Sequence, residues 1–166
     1  MKISHQKSSK IILLFISILG MINVLQAQDV KQDKNSVIKE LIDSKNYVFI
    51  AEIAQPTTGS NRRLDYGYQL QVASDSLISD LPYFGRAYSA PIDASQGGFR
   101  FTTTDFAYTV KETKKGGWNI LIKPKTANDV RQMYLDILPG GRATLQVLSN
   151  NKQGISFDGY VTERKK

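Results

Sequence analysis

Residues 118–123 read WNILIK, and the spacing of their apolar side chains indicates the fold of the chain around them. Trp118, Ile120 and Ile122 fall on one side of an extended backbone, and the residues between them fall on the other. A period of two is typical of a β-strand with one face in a core and one face in water. The segment therefore predicts a half-buried strand.

Segments with strand character recur along most of the chain. The predicted strands cover residues 47–54, 66–72, 76–81, 98–103, 106–112, 118–123, 133–138, 143–149 and 155–161. One of them has an alternative, because residues 126–137 could also begin as a helical turn. Short strands that follow one another at intervals of about ten residues predict an antiparallel barrel or sandwich.

Turn residues separate the later strands. Lys114-Lys115-Gly116-Gly117 joins two alternating segments, and its glycines accept positive φ angles at no steric cost. No gap between the later strands is long enough for a crossover helix, which argues against a parallel sheet. We expect a mainly β fold, a single antiparallel β domain of about eight or nine strands. A small barrel, lipocalin-like by analogy, is the first expectation and a sandwich is the alternative.

One N-terminal helix is predicted at residues 36–45, over one end or face of the sheet. Its apolar side chains recur at helical spacing and are expected to contact the sheet: Val37, Ile38, Leu41 and Ile42. Asn35 or Ser36 is the predicted cap at its start. Asn46 is predicted to end the helix in a left-handed turn.

The first residues have the pattern of a secretory leader. Three lysines precede an apolar segment at residues 11–25, and a small residue, Ala27, follows it. We predict a signal peptide at 1–27, a flexible N-terminus at 28–35 and a single β-rich domain at 36–166. The protein is then periplasmic or secreted, and it meets the membrane only through a transient signal peptide. An uncleaved anchor is the alternative, but the segment is shorter than the roughly 20 apolar residues that span a bilayer.

The composition argues against most enzyme classes. The chain has no cysteine, and its only histidine, His5, lies in the predicted leader. The exported part would lack the usual general base, the Ser-His and Cys-His nucleophiles and the common zinc ligands. We therefore expect no catalytic residues, no metal and no cofactor, with serine-lysine or paired-carboxylate catalysis as the remaining enzyme alternative. The basic residues are scattered, so no nucleic-acid partner is expected.

A compact aromatic cluster stands in residues 81–91, LPYFGRAYSAP. If it is extended, Phe84, Arg86 and Tyr88 share a face, Arg86 lies between two rings, and Gly85 leaves room for a ring or ligand. The candidate ligand-binding residues are Tyr83, Phe84, Arg86 and Tyr88. In the alternative interpretation the rings fill the core, and Arg86 pairs with Asp80 or Asp93.

This segment also carries a resemblance. LPYFGRAYSAP, followed by GGFRF, FAYTV, GGW and the ending ATLQVLSNNKQGISFDGYV, resembles the domain-of-unknown-function family 4251 of Gram-negative bacteria over about residues 46–161. The resemblance implies a small exported β-rich domain, and it brings no activity, ligand or catalytic residue with it.

Two functional hypotheses remain. The first is a non-enzymatic exported protein that binds a small amphipathic or anionic ligand in a β cleft. The second is a structural or protein-interaction module of the cell envelope. The expected partner is accordingly a small molecule or an envelope protein.

Overall fold

The structure is a computed structural model, and it describes residues 34–65, 67–88, 97–126 and 129–164. The described part contains a helix, α1, at residues 34–43 and ten strands. The strands are β1 (Tyr47–Pro56), β2 (Arg62–Arg63), β3 (Gln69–Val72), β4 (Leu77–Leu81), β5 (Phe99–Thr103), β6 (Phe106–Glu112), β7 (Trp118–Pro124), β8 (Val130–Ile137), β9 (Arg142–Ser149) and β10 (Ile155–Glu163).

All ten strands belong to one antiparallel sheet that curls into a nearly closed barrel. Its order is β5-β4-β3-β1-β10-β9-β8-β7-β6, and β2 pairs with β1 outside this path. β5 and β6 are consecutive in the chain but form the two edges, and no ladder joins these two described strands. The predicted mainly β fold, an antiparallel barrel with one helix before it, is confirmed, and one continuous sheet replaces the alternative two-sheet sandwich.

Alternating burial explains why the sheet curls around a core. Trp118, Ile120 and Ile122 on β7 are at most 5% exposed, whereas Asn119 between them is exposed. The largest fully buried side chains come from most of the strands and from α1: Tyr47, Phe49, Phe99, Phe157, Ile42, Leu70, Leu77, Leu81, Ile120, Ile122, Met133 and Leu135. Burial of a large apolar side chain contributes about 1.5–3 kcal/mol. The filled interior is therefore the main source of stability in a chain that has no cysteine.

Helix α1 covers the end of the barrel at which β1 begins. Ile38 and Ile42 are buried in the core, and Leu41 packs against it while partly buried. Val37 is 49% exposed and is not part of the buried core. Ile38, Leu41 and Ile42 form the helix face that meets the barrel, and Val37 lies beside that face.

The helix begins earlier than predicted. Residue 34 is already helical, so neither Asn35 nor Ser36 is the cap that the sequence suggested. The side chain of Asn35 instead accepts a hydrogen bond from the backbone N–H of Gly140 at 2.7 Å. That contact ties the helix to the turn between β8 and β9.

The helix also ends differently. The residue with a positive φ, at 49°, is Lys45 and not Asn46. The backbone N–H of Asn46 donates to the Leu41 carbonyl at 3.1 Å, which satisfies one of the last helical acceptors. The chain then enters β1 at Tyr47 without a longer loop.

Two tyrosines meet beneath α1. The hydroxyl of Tyr47 on β1 lies 3.0 Å from that of Tyr108 on β6, and Lys45 lies over the Tyr108 ring at 5.1 Å. Burial raises the pKa of Tyr47 well above its usual value and that of Tyr108 to about 12. Both phenols therefore stay neutral at physiological pH, and their contact links an edge strand to the middle of the sheet.

Most predicted strands are present, with changes at their ends. The strand predicted at 66–72 forms only over Gln69–Val72, and Tyr66 lies outside the described residues. Residues 133–137 belong to the longer strand β8 (Val130–Ile137) and Leu138 follows it, so the alternative helical turn is not formed within β8. The two-residue strand β2 had no alternating pattern and was not predicted.

The predicted signal peptide and most of the predicted flexible N-terminus lie outside the described residues. Within the described ranges, no helix is long and apolar enough to cross a membrane.

Gly159 allows the closest approach between the two longest strands. It lies opposite Ala51 on β1, next to a register shift between Ala51 and Ile53. A Cβ atom at residue 159 would overlap the carbonyl oxygen of Ile50 and lie 3.1 Å from the ring of Phe49. Since the obstacle includes backbone, it cannot be relieved by turning a side chain.

We expect Gly159→Ala to destabilise the fold by at least about 2 kcal/mol, because added volume in a packed site forces the backbone apart. Gly67→Ala is the matched control, since a Cβ at residue 67 meets nothing within 4 Å. It should change stability by less than about 0.5 kcal/mol. Urea unfolding followed by circular dichroism measures both, and equal midpoints for the two variants would contradict this packing account.

Candidate functional site

The predicted binding residues lie on the segment between β4 and β5, at the end of the barrel opposite α1. Residues 82–88 form an irregular loop, with one isolated bridge between Ala87 and Lys152. The Tyr88 N–H donates to the Asn151 carbonyl at 2.7 Å, and the Gln153 N–H donates to the Arg86 carbonyl at 3.1 Å. The assumption of a continuous extended segment is therefore wrong, because the loop turns and is held along the β9–β10 connection.

Tyr83 folds back onto its own loop. Its hydroxyl donates to the Arg86 carbonyl at 2.7 Å, and its ring meets the edge of Phe99 with centroids 5.5 Å apart. A Cβ on Gly85 would lie 2.7 Å from the Tyr83 hydroxyl oxygen. Glycine at residue 85 thus makes room for a neighbouring aromatic side chain, which is the use that the sequence suggested for it.

The cation on Phe84 is not the one that was predicted. The guanidinium of Arg62 lies over the Phe84 ring at 4.9 Å, so a strand distant in sequence supplies the contact. Asp80 pairs with Arg100 at 2.8 Å, and the alternative pairing of Arg86 with Asp80 is therefore wrong. The other suggested partner, Asp93, lies outside the described residues.

Two of the four predicted residues face solvent. Tyr88 is 70% exposed and Arg86 is exposed, whereas Tyr83 and Phe84 are half-buried. The rim cluster, as we call Arg62, Phe84, Arg86 and Tyr88, therefore combines aromatic rings with guanidinium groups at the barrel mouth. No ion pair of Arg62 or Arg86 is present within the described part of the chain.

Beneath the loop lies a buried lysine that sequence reasoning missed. Lys152 is 8% exposed, and its ammonium group pairs with the carboxylate of Asp129. The same ammonium lies 5.0 Å from the ring centroid of Phe99 and 5.6 Å from that of Tyr83. The attraction of the carboxylate and the two ring faces offsets the loss of hydration of the buried ammonium group.

Asp129 is held in its ionised form by this arrangement. Burial alone would raise the pKa of Asp129, but hydrogen bonds from Lys152 and Ser149 outweigh it and leave that pKa below the usual 3.8. The Ser149 hydroxyl donates to Asp129 at 2.7 Å and also accepts the backbone N–H groups of Asn151 and Lys152, each at 3.0 Å. The network fixes the β9–β10 connection on which the loop rests.

Chemically, the mouth of the barrel is suited to an anion that carries an apolar part. Arginine presents a planar fork of donors to a carboxylate, phosphate or sulfonate, and an exposed tyrosine offers a ring face. Large side chains fill the interior, so the accessible groups are those on the rim. Among the described residues, no three acidic or histidine side chains are grouped so that they could hold a metal ion.

These features define the class of protein: a small antiparallel, barrel-like β domain with a helix at one end and a rim of arginine and aromatic side chains at the other. The chain belongs to the family described as Domain of unknown function (DUF4251), whose sequence profile matches residues 29–161. The family resemblance inferred from the sequence is confirmed.

A solved structure supports the same fold. The crystal structure of a DUF4251 family protein from Bacteroides eggerthii DSM 20697 is similar to this chain, with a TM-score of 0.57 and 14% sequence identity. The match covers 81% of this chain and 88% of that chain. At this level of identity the similarity shows the fold alone. No curated protein matches the chain.

We expect Lys152→Met to cost about 1–3 kcal/mol, because it leaves the Asp129 carboxylate partly buried without its charged donor. Lys123→Met is the matched control, since Lys123 is exposed on β7. It should change the free energy of unfolding by less than about 0.5 kcal/mol. Thermal or urea unfolding of both variants at neutral pH measures the difference.

The same pair predicts a pH dependence. Because the pKa of Asp129 is lowered on folding, its ionised form adds stability above pH 3.8, and this is lost as the pH falls through the lower folded-state pKa. Asp129→Asn should therefore be less stable than the parent at pH 7. The difference between their free energies of unfolding should narrow as the pH falls below 3.8. A difference in the free energy of unfolding that stays constant from pH 7 to pH 3 would show that ionised Asp129 does not stabilise the fold.

Proposed function

We propose that this protein is a non-enzymatic exported binding protein that holds a small anionic, amphipathic ligand at the rim cluster. The observation that carries the proposal is the exposure of Arg86 and Tyr88 on a loop whose backbone is hydrogen-bonded to the β9–β10 connection. Export rests on the leader pattern at residues 1–27. The proposed ligand contacts lie on the barrel rim and not in a cleft within the barrel, because buried side chains occupy the interior.

The charge of the rim favours an anion. Lys152 is already paired with Asp129, so the cationic groups of the rim cluster that remain for a ligand are the guanidinium groups of Arg62 and Arg86. Hydrogen bonds to charged partners contribute about 1.5–3 kcal/mol each, more than neutral ones. Arg62 keeps its position through its contact with Phe84, which leaves its N–H groups available to a second partner.

Preorganisation favours binding by this loop. Tyr83, Gln153 and Asn151 all hold its backbone through hydrogen bonds. A loop that is already ordered loses less conformational entropy when a ligand arrives. A modest number of contacts is therefore enough to hold a small ligand.

A second candidate function is a structural or protein-interaction module of the cell envelope. Within the described residues β5 and β6 are the two edges of the sheet, and this favours the second function, since an edge strand exposes backbone N–H and C=O groups that can pair with another chain. Val110 near the middle of β6 is 37% exposed and would lie in such a contact.

The rim proposal predicts charge-dependent binding of an anionic amphipathic probe, 8-anilinonaphthalene-1-sulfonate. Arg86→Ala should weaken binding by about tenfold, because one charged hydrogen-bond donor group is lost. Tyr88→Ala should weaken it several-fold through loss of the ring. Isothermal titration calorimetry and probe fluorescence measure both effects.

Arg142→Ala is the matched control, because Arg142 is exposed at the start of β9, next to the turn that contacts α1 at the other end of the barrel. It should bind the probe as the parent does. A neutral relative of the probe without the sulfonate, N-phenyl-1-naphthylamine, should bind the parent more weakly. Equal binding of both probes, or equal loss in Arg86→Ala and Arg142→Ala, would refute a rim anion site and leave the interaction module as the better account.

A further inference from the structure

Strand β6 forms one edge of the sheet, and its inner face is not fully covered. Within the described ranges β6 pairs with β7 alone, so no ladder covers its other side. Phe106 and Tyr108 pack against the core while half-buried, and Val110, which points to the same face, is 37% exposed. The apolar side of this strand therefore has room for further contact near Val110.

The free backbone groups of β6 can be assigned from its pairing with β7. The Asp105 carbonyl accepts the Lys125 N–H at 2.9 Å, and the Thr113 N–H donates to the Gly117 carbonyl at 2.8 Å, in the same register as the ladder. Hydrogen-bonded pairs alternate with non-hydrogen-bonded pairs in an antiparallel ladder, so every second residue of β6 bonds to β7. The residues between them direct their N–H and C=O groups away from β7: Phe106, Tyr108, Val110 and Glu112.

A second copy of β6 fits this edge in an antiparallel register centred on Tyr108. In that register Tyr108 lies opposite Tyr108 of the second copy, and Phe106 lies opposite Val110 of the second copy. These residues have the free backbone groups, so each pair can form both of its hydrogen bonds. Aromatic and β-branched side chains also meet across the two inner faces, which is a stabilising cross-strand combination.

Charge on the outer face favours the same register. Lys111 is exposed and has no ion pair within the described part of the chain. The register centred on Tyr108 places Lys111 opposite Asp105 of the second copy, an exposed residue just before β6 that pairs with Lys125 at 2.8 Å. A register centred on Lys111 would instead set two lysines against each other, which is destabilising. The strand is therefore complementary in charge to a second copy of itself.

We infer that two copies of this protein pair through β6 into a symmetric dimer in which one sheet continues into the other. The two-fold axis passes through the Tyr108 pair, so each of the other contacts occurs twice, as in any isologous interface. The inference rests on the β6 edge that the second candidate function also uses, and it does not involve the rim cluster. It gives that edge a specific partner, a second copy of this chain.

Sedimentation equilibrium of the purified protein should show a monomer–dimer equilibrium. Lys111→Glu should raise the dimer dissociation constant about tenfold, because it replaces two attractive charge pairs by two repulsive ones. Lys114→Glu is the matched control, since it makes the same change of charge at an exposed residue of the β6–β7 turn, outside the strand pair. It should leave the dissociation constant unchanged.

Val110→Pro tests the backbone contact. It removes an N–H that faces the second copy and leaves the ladder with β7 intact, as an edge strand tolerates. Two symmetry-related hydrogen bonds are lost, so the dissociation constant should rise at least about tenfold. Val110→Thr keeps that N–H and should retain the dimer. Circular dichroism shows whether Val110→Pro folds; if it does not, Lys111→Glu and amide exchange in the parent protein decide.

Amide exchange followed by nuclear magnetic resonance locates the interface. The N–H groups of Tyr108 and Val110 should become protected as the protein concentration rises, whereas that of Thr109, which bonds to β7, should be protected at every concentration. A protein that stays monomeric up to millimolar concentration would overturn the inference. Equal effects of Lys111→Glu and Lys114→Glu, or exchange of Tyr108 and Val110 that does not depend on concentration, would do the same.

The dimer and the proposed functions can fail separately. Lys111→Glu should bind the sulfonate probe as the parent does, because Lys111 is not part of the rim cluster. A monomeric protein whose β6 edge pairs with a different envelope protein would overturn the dimer and leave the interaction module in place.

Discussion

The pairing of β1 with β10 is the contact on which the rest of the architecture depends. β1 is aligned with β10 over nine positions, from Tyr47 opposite Glu163 to Pro56 opposite Ile155. On its other side β1 pairs with β3, and every other pair in the main path of the sheet joins strands that are neighbours in sequence. Without this pairing, the sheet would separate into an early half and a late half, each with one more exposed edge.

The joined sheet then determines what each end of the barrel can do. β1 begins beneath α1 and ends near the rim, where Thr57 and Thr58 contact Gly154 and Gln153. Large side chains fill the space between the ends, so the rim is separated from the helix end by the core. The rim carries charge above a buried ion pair, and the helix end carries an open cavity between α1 and the β6–β7 hairpin.

Sequence reasoning succeeded where one local rule decides the outcome. The alternation in residues 118–123 and 143–149 predicted strands whose inner face is buried, because a strand with one apolar side can be stable only over a core. Helical spacing likewise predicted that Ile38 and Ile42 enter the core. The family resemblance added the expectation of a β-rich domain, and the fold agrees with it.

Reasoning from local pattern failed where distant segments meet. Strands β8 and β9 lie between Asp129 and Lys152 in the sequence, so their pairing is not a local feature. A lysine within a polar turn also gives no sign that it will be buried. The cation on Phe84 came from Arg62 for the same reason. The four predicted binding residues occupy one loop, but only the tertiary contacts reveal that Tyr83 turns inward while Tyr88 remains exposed.

Native-state amide hydrogen exchange, resolved by peptide and followed by mass spectrometry, tests the central claim most directly. If β1 and β10 join the two halves into one cooperative sheet, the slowest amides of β1, β3, β8 and β10 should all exchange with the same free energy, that of global unfolding. A clearly smaller free energy for β1 and β3 than for β8 and β10 would show that the halves open separately, and it would contradict the account.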